Sequence, residues 1–291
     1  MKLGVVDVGG GMRGIYSAGI LDYCLENNIV FDCCIGVSAG SANLITYLAG
    51  QKGRSFTFYH EYSFRRKYMS LSNRLFKGSY FDLSYAYGTL GNSDGENPLD
   101  YETFSKNKAD FIIVASEAVS GKTVYFTKKA IRKDDCRVLM ASSSIPVVNK
   151  PFDIAGTLYY DGALADPVPV LKAFAEGCDK VVLILSKPMD EPFDYRTDVI
   201  LSNLISKTYP VSSRNLARRA DKYDESVAIA NQYASMGKVL ILAPEQTYGV
   251  TALKRTKSSL EKLYADGKRD GEKITEWLEN IAEQNAVLQK K

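Results

Sequence analysis

Leu3-Gly4-Val5-Val6-Asp7-Val8-Gly9-Gly10-Gly11-Met12-Arg13-Gly14 decides how this 291-residue chain folds. Residues 3–8 form a short, mostly β-branched run that ends in glycine, and beyond Arg13 the apolar positions Tyr16, Gly19, Ile20, Tyr23 and Cys24 recur at helical spacing. That is strand, glycine turn, helix. A second unit of the same kind follows: a strand over 33–37 runs into Gly36-Val37-Ser38-Ala39-Gly40, and residues 39–48 read as a helix closed by Gly50. Further buried strands are expected at 111–115, 181–185 and 239–242, separated by helical patterns. Apolar runs of that length without polar alternation suit a parallel sheet covered on both faces, hence a layered α/β fold. Near the end, Ile274, Trp277, Leu278, Ile281 and Ala282 lie on one helical stripe, an amphipathic cover for the domain. There is no internal repeat and no low-complexity linker.

Composition narrows the class. At 45% apolar residues a chain of this length buries roughly three quarters of its unfolded surface. The 37 basic and 34 acidic side chains leave a net charge of +3, too weak a field for a nucleic-acid partner. Five cysteines, three of them (Cys24, Cys33, Cys34) in apolar-periodic stretches, point to a reducing compartment. No apolar run approaches 18 residues, and Asp7 with three glycines stands where a signal peptide would have its apolar core. The expectation is a cytoplasmic protein that does not span a membrane.

The two glycine-bearing turns admit competing uses. Gly9-x-Gly11-x-x-Gly14 matches the dinucleotide fingerprint in its strand-to-helix context. A nicotinamide or flavin site also needs an acid at the carboxyl end of the second strand, but that end is Gly36-Val37-Ser38, and Asp32 sits at the other. The same loop can instead gather glycine amides around an oxyanion. Ser38, in a Gly-x-Ser-x-Gly turn between strand and helix, is then the nucleophile that needs that hole, against the plainer reading of a helix N-cap. No cofactor and no metal are expected.

A serine nucleophile needs a base, and the chain has a single histidine, His60, only 22 residues beyond Ser38. In the order Ser, Asp, His the histidine comes last, so His60 reads as a packed or surface residue. Asp161, in Tyr159-Tyr160-Asp161-Gly162-Ala163, is the other candidate: it follows an aromatic strand end and precedes two small residues that allow close approach. The competing reading is a simple Asp-Gly turn.

With these pieces in order, the chain resembles the patatin-like phospholipase family, which carries a glycine-rich oxyanion loop, a Gly-x-Ser-x-Gly nucleophile turn and an Asp-Gly-Gly or Asp-Gly-Ala block. Ala141-Ser142-Ser143-Ser144-Ile145-Pro146 is similar to the family's Ala-Ser-x-x-x-Pro segment. The resemblance covers about residues 5–169, which hold the motifs. It implies one domain over 1–291, a three-layer α/β/α fold with a mainly parallel central sheet, and a segment 170–291 that completes the sheet and adds C-terminal helices. It also implies that Ser38 is the nucleophile and Asp161 its dyad partner, with Gly9, Gly10, Gly11, Met12, Arg13 and Gly14 as the oxyanion hole. Gly36, Val37, Ala39 and Gly40 shape the nucleophile turn, and Gly162 and Ala163 complete the aspartate block. Asp166-Pro167 departs from the asparagine that many members carry after that block. The activity implied is lipid acyl ester hydrolysis of the phospholipase A or esterase type through an acyl-enzyme, with a lipid substrate and transient contact with a membrane surface. Two alternatives stand beside it: a dinucleotide-binding protein, and a non-enzymatic lipid-sensing or regulatory protein of the same fold.

Between 56 and 87 the chain is dense in aromatics, with Arg65, Arg66 and Lys67 available for a lipid head group; the plainer reading is aromatic core beside a solvated charge run. Lys128, Lys129, Arg132 and Lys133 are likewise read as solvated, since Asp134 and Asp135 follow.

Overall fold

The computed structural model describes residues 1–191 and 195–288. Among these, eight strands build one sheet: β1 (Leu3–Asp7), β2 (Cys33–Val37), β3 (Asp110–Glu117), β4 (Thr123–Thr127), β5 (Phe152–Ile154), β6 (Thr157–Asp161), β7 (Lys180–Ile184) and β8 (Val239–Leu242). The order is β5-β6-β3-β2-β1-β7-β8, with β4 also on β3. β1, β2, β3, β7 and β8 run parallel, while β4 and β6 are antiparallel to β3.

Helices cover both faces. The first five are α1 (Ile15–Glu26), α2 (Ala39–Leu48), α3 (Arg54–His60), α4 (Leu71–Lys77) and α5 (Tyr101–Lys106). The remainder are α6 (Arg137–Ser142), α7 (Val170–Ala175), α8 (Tyr195–Ile205), α9 (Pro210–Ala217), α10 (Arg219–Ser235) and α11 (Lys257–Leu288). Alternation along the strands sorts the core into two layers. Val5, Cys34, Ile113, Val182 and Ile184 pack under α1, α2 and α11, whereas Val6, Ile35, Val114 and Leu183 pack against α7 and α10. A three-layer α/β/α fold with a mainly parallel sheet results, because strands buried on both faces must be apolar throughout.

One feature of the pairing fixes the geometry of the centre. β2 ends at Val37, opposite Val114 of β3. β6 meets the same edge of β3 from the opposite direction and ends at Asp161, opposite Ala115. β4 takes the other edge, since it pairs with residues 112–116. Two chain segments therefore run head to head along one edge, and Ser38 and Asp161 are the residues where they meet.

The C-terminal helix is longer than the apolar stripe that announces it, running from Lys257, and within the stripe Ile274 is fully buried while Ala282 is exposed. Its earlier part crosses α1 with the two backbones almost touching: a Cβ on Gly19 would lie 2.2 Å from the Tyr264 carbonyl, and one on Gly267 2.1 Å from the Tyr16 carbonyl. Expected strand ends shift by one residue in β1 and β7. The antiparallel strands β4 and β5 and the body of β6 went unread. The aromatic-dense stretch 56–87 overlaps α3, α4 and a wide helical turn at Tyr85–Thr89.

Candidate active site

Ser38 sits in a backbone conformation that L-residues rarely adopt, φ 55° and ψ −127°. Such a conformation costs on the order of 1–3 kcal/mol and persists only where neighbours impose it. The neighbours are visible. The Ser38 N–H donates to Ser142 Oγ at 2.9 Å, and the Ser142 hydroxyl donates to the Val114 carbonyl at 2.6 Å, so the turn is pinned to β3. Gly36 and Gly40 are glycine by necessity, because a Cβ would lie 2.5 Å from Ser41 Cα in the first case and 2.3 Å from the Asp7 carbonyl in the second.

Asp7, the last residue of β1, is fully buried beneath the glycine loop. Its carboxylate accepts from the Gly9 N–H at 2.9 Å, the Ser17 hydroxyl at 3.2 Å and the Asn43 amide at 3.4 Å. Burial pushes its pKa up to about 6, against the lowering effect of those three donors. This narrows the expected oxyanion hole. The Gly9 amide is spent on Asp7, the Met12 amide donates to the Ala252 carbonyl at 3.3 Å, and the Gly14 carbonyl accepts from Ser17 and Asn43. Arg13 contributes a half-buried side chain whose buried Nε has no hydrogen-bond partner among the described residues. Among the described residues, the amides of Gly10 and Gly11 are the ones in the loop's first half left without an acceptor. Gly10 holds φ 120° and Gly11 φ 61°, and the loop is packed from behind: a Cβ on Gly10 would lie 2.2 Å from Ser186 Oγ and one on Gly11 2.5 Å from the Ala252 carbonyl.

Asp161 is 3% exposed, and the Ser38 side chain lies beside its carboxylate. Its Oδ1 also accepts from the Ala163 N–H at 2.9 Å, which makes it the cap of the short turn Gly162–Leu164, and its own N–H donates to the Ser144 carbonyl at 2.9 Å. Burial raises its pKa above the ordinary carboxylate value, opposed by the neighbouring Ser38 hydroxyl, the Ala163 hydrogen bond and the nearby charge of Arg219. Gly162 passes close under β3, with room for a Cβ excluded by the Val114 carbonyl at 2.3 Å.

Beside Ser38 opens a small cavity of about 70 Å³, with Gly11 and Met12 at the loop side and Phe58, Tyr59, Tyr68, Phe81, Leu83 and Ile145 among its walls. The aromatic stretch is thus core and cavity wall at once. Arg54 lies in this wall without a carboxylate partner, held by the Thr46 hydroxyl at 2.8 Å and the Asn97 carbonyl at 2.8 Å, and burial brings its pKa down to about 10. The segment Ala141 to Pro146, singled out by resemblance alone, joins the parts: Ser142 pins the nucleophile turn, the Ser144 carbonyl holds Asp161, and Ser143 and Ile145 line the cavity.

Other candidates stand apart. His60 stacks on Phe56, bridges Glu61 and Glu261 at 2.7 Å each, and does not line the Ser38 cavity. Arg65 is committed to Glu96 through two 2.7 Å bonds, which removes it from the cations available to a head group. Lys128 donates to the Asn107 carbonyl over the ring of Phe104. Asp166, where the sequence departs from the family pattern, accepts from the Tyr125 hydroxyl at 2.6 Å and is absent from the cavity wall. Among the described residues no group of three or more His, Cys, Asp or Glu is arranged to hold a metal ion, and no helix is long and apolar enough to cross a membrane.

Sequence reasoning missed Asp7, Asn43 and Arg54. Asp7 had a signal, a charge inside an otherwise apolar strand; Asn43 and Arg54 had none beyond a polar residue on a helix.

A sequence model described as patatin-like phospholipase matches residues 8–174, more than half of the chain. The chain belongs to that family, and lipid hydrolysis is the class of chemistry that membership supports. A second model, a domain of unknown function (DUF6363), matches residues 209–283, the stretch that supplies β8 and most of α11. The chain is 26% identical over 193 residues to "Uncharacterized protein YjjU" of Escherichia coli (strain K12); the match takes in 64% of this chain and 52% of that protein, about half its length. Among solved structures it is similar to VipD from Legionella pneumophila, with a TM-score of 0.49 and 12% identity, covering 96% of this chain and 67% of that one.

Proposed function

We propose that the protein is a lipid acyl hydrolase in which Ser38 is the nucleophile, Asp161 its base, and the Gly10 and Gly11 amides the oxyanion hole. The observation that carries this reading is the Ser38 hydroxyl held beside a buried carboxylate at an apolar cavity. As Ser38 Oγ bonds to the ester carbonyl carbon, its proton passes to Asp161, and the carbonyl oxygen takes up the negative charge facing the two free amides. The tetrahedral species then collapses, the alkoxide leaves with the proton from Asp161, and the acyl group stays on Ser38. Water, losing its proton to the same carboxylate, releases the fatty acid by the reverse sequence. A carboxylate with an ordinary pKa near 3.9 is a poor acceptor of an alcohol proton, and the raised value of Asp161 improves it.

The experiment is labelling with an activated fluorophosphonate alongside turnover of p-nitrophenyl esters and phospholipid vesicles. Wild type should label and release product; Ser38→Ala should do neither. A Ser38→Ala protein that keeps full activity rules out the assignment.

A further inference from the structure

The helix α4 presents its apolar side chains to solvent. Leu71 is 72% exposed, Leu75 80% and Phe76 88%, and they share one sector of a seven-residue helix. The helix is not loose at its root: Ser70 Oγ caps it by accepting from the Asn73 N–H at 3.1 Å, and the buried Asn73 amide donates to the Lys67 carbonyl at 3.0 Å. Its base is closed by Ser70 N–H to Tyr80 carbonyl at 3.3 Å and Asp82 N–H to Tyr68 carbonyl at 2.7 Å. At that base Tyr68 stacks on Phe81, centroids 5.4 Å apart, and both rings line the Ser38 cavity.

Charge around the helix is one-sided. Between Arg66 and Phe81 the chain has four cations, Arg66, Lys67, Arg74 and Lys77, and no acid, in a protein whose charges otherwise nearly cancel. Lys77 pairs with Asp82, whereas Arg66, Lys67 and Arg74 are exposed with no carboxylate in ion-pair range among the described residues. Exposed apolar side chains ringed by free cations match the interfacial zone of a bilayer with anionic lipid, where apolar groups enter the acyl boundary and cations meet phosphates.

We propose that α4 docks the protein on an anionic phospholipid surface, with Leu71, Leu75 and Phe76 inserted and Arg66, Lys67 and Arg74 at the head groups, so that the Tyr68 and Phe81 end of the cavity faces the lipid. The docking extends the hydrolase reading to the delivery of its substrate but does not need Ser38 to be catalytic. Accordingly it is measured by flotation of the Ser38→Ala protein with vesicles of phosphatidylcholine alone and of phosphatidylcholine with phosphatidylglycerol. Binding should favour the anionic vesicles and weaken with salt. Leu75→Ser with Phe76→Ser should lower partitioning at least about tenfold, and Arg66→Gln with Lys67→Gln should lower it about fivefold per cation on anionic vesicles only. In the otherwise wild-type chain, the Leu75→Ser, Phe76→Ser pair should keep its melting temperature and its turnover of soluble p-nitrophenyl esters while losing turnover on vesicles. Undiminished vesicle binding by that pair overturns the proposal. So does a wild-type dimer in sedimentation equilibrium that the same pair dissolves, since the apolar face would then belong to a second copy.

Discussion

Two buried carboxylates flank Ser38, and their surroundings differ in one decisive respect. Asp7 and Asp161 are both removed from water, and burial raises the pKa of each. Asp7 faces the Gly9 amide, Ser17 and Asn43, all fixed parts of the fold, whereas Asp161 faces the hydroxyl of a strained, cavity-lining serine. A raised pKa therefore does not make a base. What matters is whether the donor opposite can give its proton to something that reacts.

The sharpest way to break this contrast is Asp161→Asn, which keeps shape and removes the proton acceptor. Ester turnover should fall on the order of 100-fold or more, the scale of general-base catalysis, with the melting temperature retained. Asp7→Asn should cost less than about tenfold, because an asparagine oxygen still accepts from Gly9. Equal losses in the two would erase the distinction drawn here.

The pH dependence separates the pair further. Asp161 must be ionised to accept a proton, so the acid limb of kcat/KM should fall above the ordinary carboxylate range, and Asp7→Asn should leave that limb in place. Asp7 should instead show in stability. Its pKa is 3.8 when unfolded and about 6 when folded, so the folded form favours the proton. That contribution is complete below pH 4 and is lost as pH rises through 6, about 3 kcal/mol in all. Denaturation of wild type and Asp7→Asn across this window should show a steeper slope in wild type, since the other buried carboxylates remain in both. The smallest effect belongs to His60→Gln, which should keep most activity; collapse of turnover in a folded His60→Gln protein would return the base to histidine.

How much of this was legible depended on the reach of each signal. The turns after β1 and β2 are local, with glycines forced by contacts a few residues away, and the bounds of β2, α2 and β8 were read directly. Asp161 was visible as a candidate base and its pairing with Ser38 followed from the family resemblance, but the geometry was not legible, because the meeting of β2 and β6 depends on the register of each against β3. The hairpin of β5 and β6 escaped because its strands are short and mostly half-buried, and α11 was read only from Ile274 because Gly267 and Gly271 interrupt the helical pattern where they let α1 approach. The narrowing of the oxyanion loop to two amides likewise needs Ala252, some 240 positions away.

That last contact has a consequence for how the molecule comes into being. The loop is synthesised about 240 residues ahead of Ala252, yet Gly11 and Met12 lean on Ala252 and the helix that follows them lies against Gly267. Contacts spanning nearly the whole sequence are slow to form, since their closure entropy must be met before they return any stability. At a translation rate of about 5–20 residues per second, the nascent chain spends upwards of ten seconds with the Tyr16 face of α1 uncovered. Ser38 is made more than 200 residues ahead of α11, and the architecture around it stays incomplete until that helix has been delivered.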